Sequence, residues 1–168
     1  IDDILAVLDQ PGQFDPEIVA RTRAKADALP PETDNHVTLA NFYLKRGLMA
    51  RELGRAKQCN EDIKTAWIYA TNSKGQRAPK MPKRDFARIL VQLGQEEVYL
   101  GNFKRGISLI KQSIDNHKIG IAYRRLAQFH FKIGDFNSGK AATNVGIKFL
   151  NKKIAMNRVN YGFIINKH

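Results

Sequence analysis

Cysteine occurs once in these 168 residues, at Cys59. No internal disulfide can staple the fold, and a reducing, cytoplasmic setting is expected. Long apolar runs are missing as well. No stretch reaches the roughly 18 residues a membrane helix needs, and no signal-peptide pattern opens the chain, so no membrane partner is expected. No segment has a convincing strand pattern, so no glycine-rich phosphate loop follows a strand. The histidines, His36, His117, His130 and His168, have no metal-ligand spacing with Cys59, and no metal or other cofactor is expected. Glu61-Asp62 and Glu96-Glu97 read as surface charge on helices rather than acid–base machinery. Together these absences argue against an enzyme.

Acidic residues are scarce, and their scarcity is uneven. The formal net charge is +12. Through Asn35 the chain holds eight acids against three bases, and the remainder holds eight acids against 25 bases. From Tyr99 onward the only acids are Asp115 and Asp135. An acidic leader before a strongly basic body suits either packing of the leader on the body or an acidic partner.

What the chain does have is a period. Gly101-Asn102-Phe103 and Gly134-Asp135-Phe136 lie 33 residues apart, and Gly54-Arg55-Ala56 stands in the same role before them. Each follows a helical stretch and opens another. Glycine can end a helix in the left-handed conformation, and Asn102 or Asp135 can cap the next one. Gly47, Gly94 and Ala127 on one side, and Cys59, Gly106 and Gly139 on the other, recur at matching registers. Glycine inside a helix costs up to about 1 kcal/mol relative to alanine, so its recurrence predicts close helix–helix contact. By the same logic Cys59 is a buried packing thiol, not a nucleophile.

Aligned on these glycines, the units read Phe42-Tyr43-Leu44-Lys45-Arg46-Gly47, Ile89-Leu90-Val91-Gln92-Leu93-Gly94 and Ala122-Tyr123-Arg124-Arg125-Leu126-Ala127, each followed by its turn and a second helix. This resembles the tetratricopeptide repeat over Thr38 to about Leu150. Arg46 and Ala56 depart from that family's Leu and aromatic, and no unit has its closing proline. The resemblance implies an all-α, right-handed solenoid of antiparallel helix pairs, a fold that presents a surface rather than performing chemistry.

The expected organisation is an acidic helical cap over 1–35, repeats over 36–70, 85–117 and 119–150, a mobile basic loop at 71–84, and a C-terminal helix over 151–168. Within the cap, a short helix spans Ile1–Leu8 and a second runs from Asp15-Pro16 to about Ala28. Asp34 or Asn35 caps the first repeat, and Asp85 the second. The final segment is a solvating helix or, at Tyr161-Gly162, the start of a fourth repeat.

In the family, first helices line a concave groove. Carried over, that face gives Asn41, Leu44, Leu48 and Arg51, then Arg88, Val91, Gln95, Val98 and Tyr99, then Ile121, Arg124, Gln128, Phe131 and Lys132. Bases, amides and aromatics at this spacing suit an extended acidic peptide. The family's carboxylate clamp is not reproduced: the matching positions are Leu44, Leu48, Gln92, Ile121 and Arg125, and only Arg125 fits. Binding of heat-shock protein tails is therefore not expected. The alternatives are nucleic-acid binding by the basic surface and self-association through the array ends.

Overall fold

In the computed structural model, residues 15–165 are described, with side chains through Met156. The helix expected over Ile1–Leu8 lies outside them. The described residues are all-helical: α1 (Pro16–Ala26), α2 (His36–Glu52), α3 (Ala56–Ala70), α4 (Lys83–Tyr99), α5 (Phe103–Asn116), α6 (Gly120–Lys132) and α7 (Phe136–Ile165). No strand occurs among them, and no helix among them is long and apolar enough to cross a membrane. The helices pack against their sequence neighbours, most extensively α2 on α3, α4 on α5 and α6 on α7.

Helix starts follow from local chemistry. Asp15 accepts the Glu17 N–H with Pro16 in the first turn of α1. Asn35 caps α2 by accepting from the Val37 and Thr38 N–H groups at 3.0 and 3.2 Å. Asp135 accepts the Ser138 N–H at 3.0 Å at the head of α7. Asn102 makes no capping bond; its amide donates instead to Glu97 at 2.9 Å. The three turn glycines adopt φ of 72°, 86° and 78° at Gly54, Gly101 and Gly134, a region that side chains avoid.

The small residues are contact points between paired helices. A Cβ on Gly106 would lie 2.5 Å from Val98 Cγ2 and 2.7 Å from the Gly94 carbonyl oxygen. Two turns away, the Ser113 hydroxyl donates to the Ala87 carbonyl at 2.8 Å. As the position on α4 falls from 94 to 87, its partner on α5 rises from 106 to 113, so these helices run in opposite directions. Gly139 against Phe131 and Gly146 against Tyr123 repeat the relation between α6 and α7.

Two apolar cores result. One gathers Ala40, Leu44, Ile63, Met81, Phe86 and Leu90 with others from α2 to α5. The second gathers Val91, Val98, Ile107, Ile110, Ala122 and Phe129. Burying each such large side chain contributes about 1.5–3 kcal/mol.

Several boundaries differ from those expected. Lys83 and Arg84 open α4 behind Pro82, so Asp85 sits in its first turn and does not cap it. Residues 71–82 are tied down: Asn72 accepts from the Lys74 and Gln76 N–H groups at 3.0 Å each, Ala78 donates to the Ala70 carbonyl at 2.9 Å, and Met81 is buried in the first core. The second cap helix stops at Ala26. No break falls at residue 150; α7 runs on to Ile165.

The two carboxylate pairs are not simply surface charge. Asp62 is buried and receives Arg46 at two points, Nε at 2.9 Å and a terminal nitrogen at 2.7 Å. The same guanidinium lies over the rings of Phe42 and Tyr43 and donates to the Ala28 carbonyl at 3.1 Å, linking the segment after α1 to α2 and α3. Hydrogen bonding to Asp62 holds its pKa above the ordinary arginine value. Glu96 and Glu97 are buried too, paired with Arg51 at 2.7 Å and Arg105 at 3.1 Å. Glu61 alone of the four stays exposed.

Candidate functional site

The side chains expected to form a groove come from α2, α4 and α6, and they divide into three groups. Leu44, Val91 and Val98 are buried in the two cores and offer nothing to a ligand, contrary to their expected place on an open stripe. They share a helix with the stripe but turn toward the neighbouring helices. Asn41, Leu48 and Ile121 are half-buried, and Lys132 is exposed.

The second group converges around the C-terminal halves of α2 and α4. Arg51 reaches from α2 across to α4, donating to Gln92 and Glu96 at 2.7 Å each. Gln95 is buried and donates to the Tyr99 hydroxyl at 2.7 Å, while the Tyr99 residue is itself largely exposed. From α6, Arg125 donates to Gln128 at 2.9 Å. Burial lowers the Arg125 pKa first, then the positive charge of Arg124; Tyr99 opposes the shift, and Arg51 adds to it. Arg51 of α2, Tyr99 of α4 and Arg124 of α6 thus all lie within electrostatic reach of Arg125.

Three buried polar atoms in this region have no hydrogen-bond partner: Arg51 Nε, Gln95 Oε1 and Arg125 Nε. A buried polar atom left unpaired costs about 1–3 kcal/mol. Arg51 has Glu96 to balance its charge. Arg124 and Arg125 have no carboxylate partner among the described residues.

The third group lies at the edges. Arg124, Gln128 and Phe131 border a groove between α6 and α7, floored by Ala127 and Gly146. Arg88 lies at the other end of the α4 stripe, in a polar cleft with Arg84, His117, Lys118 and Lys153. From Arg88 to Tyr99 is about 16 Å along the helix axis at 1.5 Å per residue, so these are separate locations.

Arg125 is the residue that sequence reading left out of the groove. Its signal was present, as the one position matching the family's clamp. The bond from Arg51 to Glu96 had none, because 45 residues separate the partners.

Cys59 is buried, burial pushes its thiol pKa up, and its sulfur lies 3.7 Å from Glu96. His130 pairs with Asp135 at 3.1 Å next to a helix turn. The described residues contain no cluster of three or more potential metal ligands among His, Cys, Asp and Glu. In comparison with known proteins, no family model matches the chain and no curated protein matches it.

Proposed function

We propose that the chain is a tetratricopeptide-like solenoid, three helix pairs wound into a right-handed superhelix, that acts as a non-enzymatic interaction module. Its ligand is an acidic, extended protein segment lying across α2, α4 and α6. The turn period of 33 residues between Gly101 and Gly134, and the glycine contacts within successive pairs, support the repeat reading.

The observation that carries the binding reading is the charge of Arg124 and Arg125, which no carboxylate among the described residues balances, beside the exposed Tyr99. A carboxylate accepts from the guanidinium N–H groups of Arg124 and Arg125. Tyr99 is exposed enough to cover an apolar side chain between the carboxylates.

The test uses a labelled peptide alternating Glu or Asp with apolar residues. Arg124→Glu combined with Arg125→Glu should weaken binding at least about tenfold, and more at low salt than at high salt. A thermal melt close to that of the wild type confirms that the variant folds. The matched control is Lys104→Glu with Lys111→Glu on α5, which should change affinity little. If the control pair abolishes binding and the arginine pair does not, the opposite face is the binding surface and this reading fails.

A further inference from the structure

The bases of this chain are not equally matched. At the turns within helix pairs, Arg55 meets Asp27, Arg105 meets Glu97 and His130 meets Asp135. Arg46 and Arg51, on α2, also have carboxylates. The opposite edge, where one pair connects to the next, is different. Arg84 and Arg88 from the start of α4, His117 and Lys118 from the α5–α6 connection, and Lys153 from α7 line one cleft of about 420 Å³. Among the described residues, none of the five forms an ion pair. No acidic side chain lines the cleft; the nearest acids along the chain are Asp85, beside Arg84, and Asp115, in an adjoining cleft.

The charge continues beyond the cleft toward α7. Lys152 and Lys153 line the adjoining cleft with His117 and Lys118. Lys83, at the start of α4 just before Arg84, is exposed as well. The cations therefore follow an edge instead of closing around one point. No side-chain amide lines the cleft, so it lacks the groups that would hold a peptide backbone. Ile119, Gly120 and Ile121, at the start of α6, also line it.

We propose that this edge binds the phosphates of a nucleic-acid backbone. Repeated monoanions at regular spacing match repeated cations along an edge. Guanidinium and ammonium groups neutralise phosphates and release their counterions, a term that carries affinity without reading sequence. With His117 as the aromatic ring in the cleft, base stacking contributes little, so sequence preference is weak. The site is separate from the Arg51–Arg125 face and does not depend on it.

Fluorescence anisotropy with a labelled mixed-sequence single strand of about 20 nucleotides tests it. The full chain should bind, with log affinity falling linearly as log salt rises. Replacing Arg84 and Lys153 together by Glu should weaken binding about tenfold or more and lower the salt slope by about 1.4, roughly 0.7 per lost phosphate contact on a single strand. These side chains are exposed or outside the cores, and an unchanged circular dichroism melt confirms that the variant folds. Lys104→Glu with Lys111→Glu makes the same change in net charge and should cost little. Arg125→Glu should leave strand binding intact. Equal losses from the edge pair and the α5 pair would reduce the effect to diffuse charge and overturn the proposal. So would no strand binding at low salt. Tripolyphosphate is the second probe: its binding, with none of the strand, would assign the cleft to a free phosphate compound and overturn the nucleic-acid assignment.

Discussion

Arg46→Leu should destabilise the fold by about 3 kcal/mol or more, although leucine is the residue that the repeat resemblance would place there. The Asp62 carboxylate side chain is only 4% exposed and Arg46 is 20% exposed. Removing the guanidinium leaves a carboxylate almost out of water with no counter-charge, and that desolvation dominates any gain from a larger apolar side chain. The link to the Ala28 carbonyl is lost in the same step. Arg46→Leu combined with Asp62→Ala should recover much of the loss, because the stranded charge goes with it. Urea unfolding of the wild type, both single variants and the double variant closes the cycle. Stabilisation by Arg46→Leu alone would show that the pair does not hold α2 to α3 in the way described.

Gly106→Leu should be comparably severe, about 1–3 kcal/mol or more. Even a methyl at this position would lie 2.7 Å from the Gly94 carbonyl oxygen, and a backbone cannot step aside without moving α4. Gly139→Leu is a useful contrast. The atoms nearest its added Cβ belong to the Phe131 ring, starting at 2.5 Å. Phe131 is 39% exposed and its ring can rotate outward, so the cost should be smaller. Thermal or urea melts of the two variants should rank them in this order. Equal and negligible losses would mean that the helix pairs are not in the register given by these glycines.

The parts of the structure readable from the sequence are those whose cause is local. Gly54, Gly101 and Gly134 announce turns because φ near +80° is a property of one residue, and Asn35 announces a helix start because its cap bonds reach only three residues ahead. Gly94 and Gly106 were readable as contacts because the same register recurs in each pair. The misread residues depend on partners far away in sequence. Arg46 looked like a departure from a pattern until Asp62 stood beside it, and Glu96 looked like surface charge until Arg51 crossed from α2. The stripe through Leu44, Val91 and Val98 was drawn with helical spacing alone, which says that residues share a side but not which side is covered. The cluster of Arg84, Arg88, Lys118 and Lys153 is invisible in one dimension, since its members span 69 positions.

The sharing of α4 and α5 between the two cores has a dynamic consequence. Phe86, Ile89, Leu90, Leu93 and Leu109 belong to one core, while Val91, Val98, Ile107 and Ile110 belong to the other. Neither core can loosen without disturbing this middle pair, whereas α1 and α7 each border one side only. Opening should therefore begin as fraying at the two extremities and reach the centre last, giving a graded series of partly open forms in place of a single all-or-none event. Slow amide exchange would concentrate in α4 and α5, and a ligand spanning α2, α4 and α6 would work as a splint, slowing the release of the outer helices without touching the middle pair's own packing.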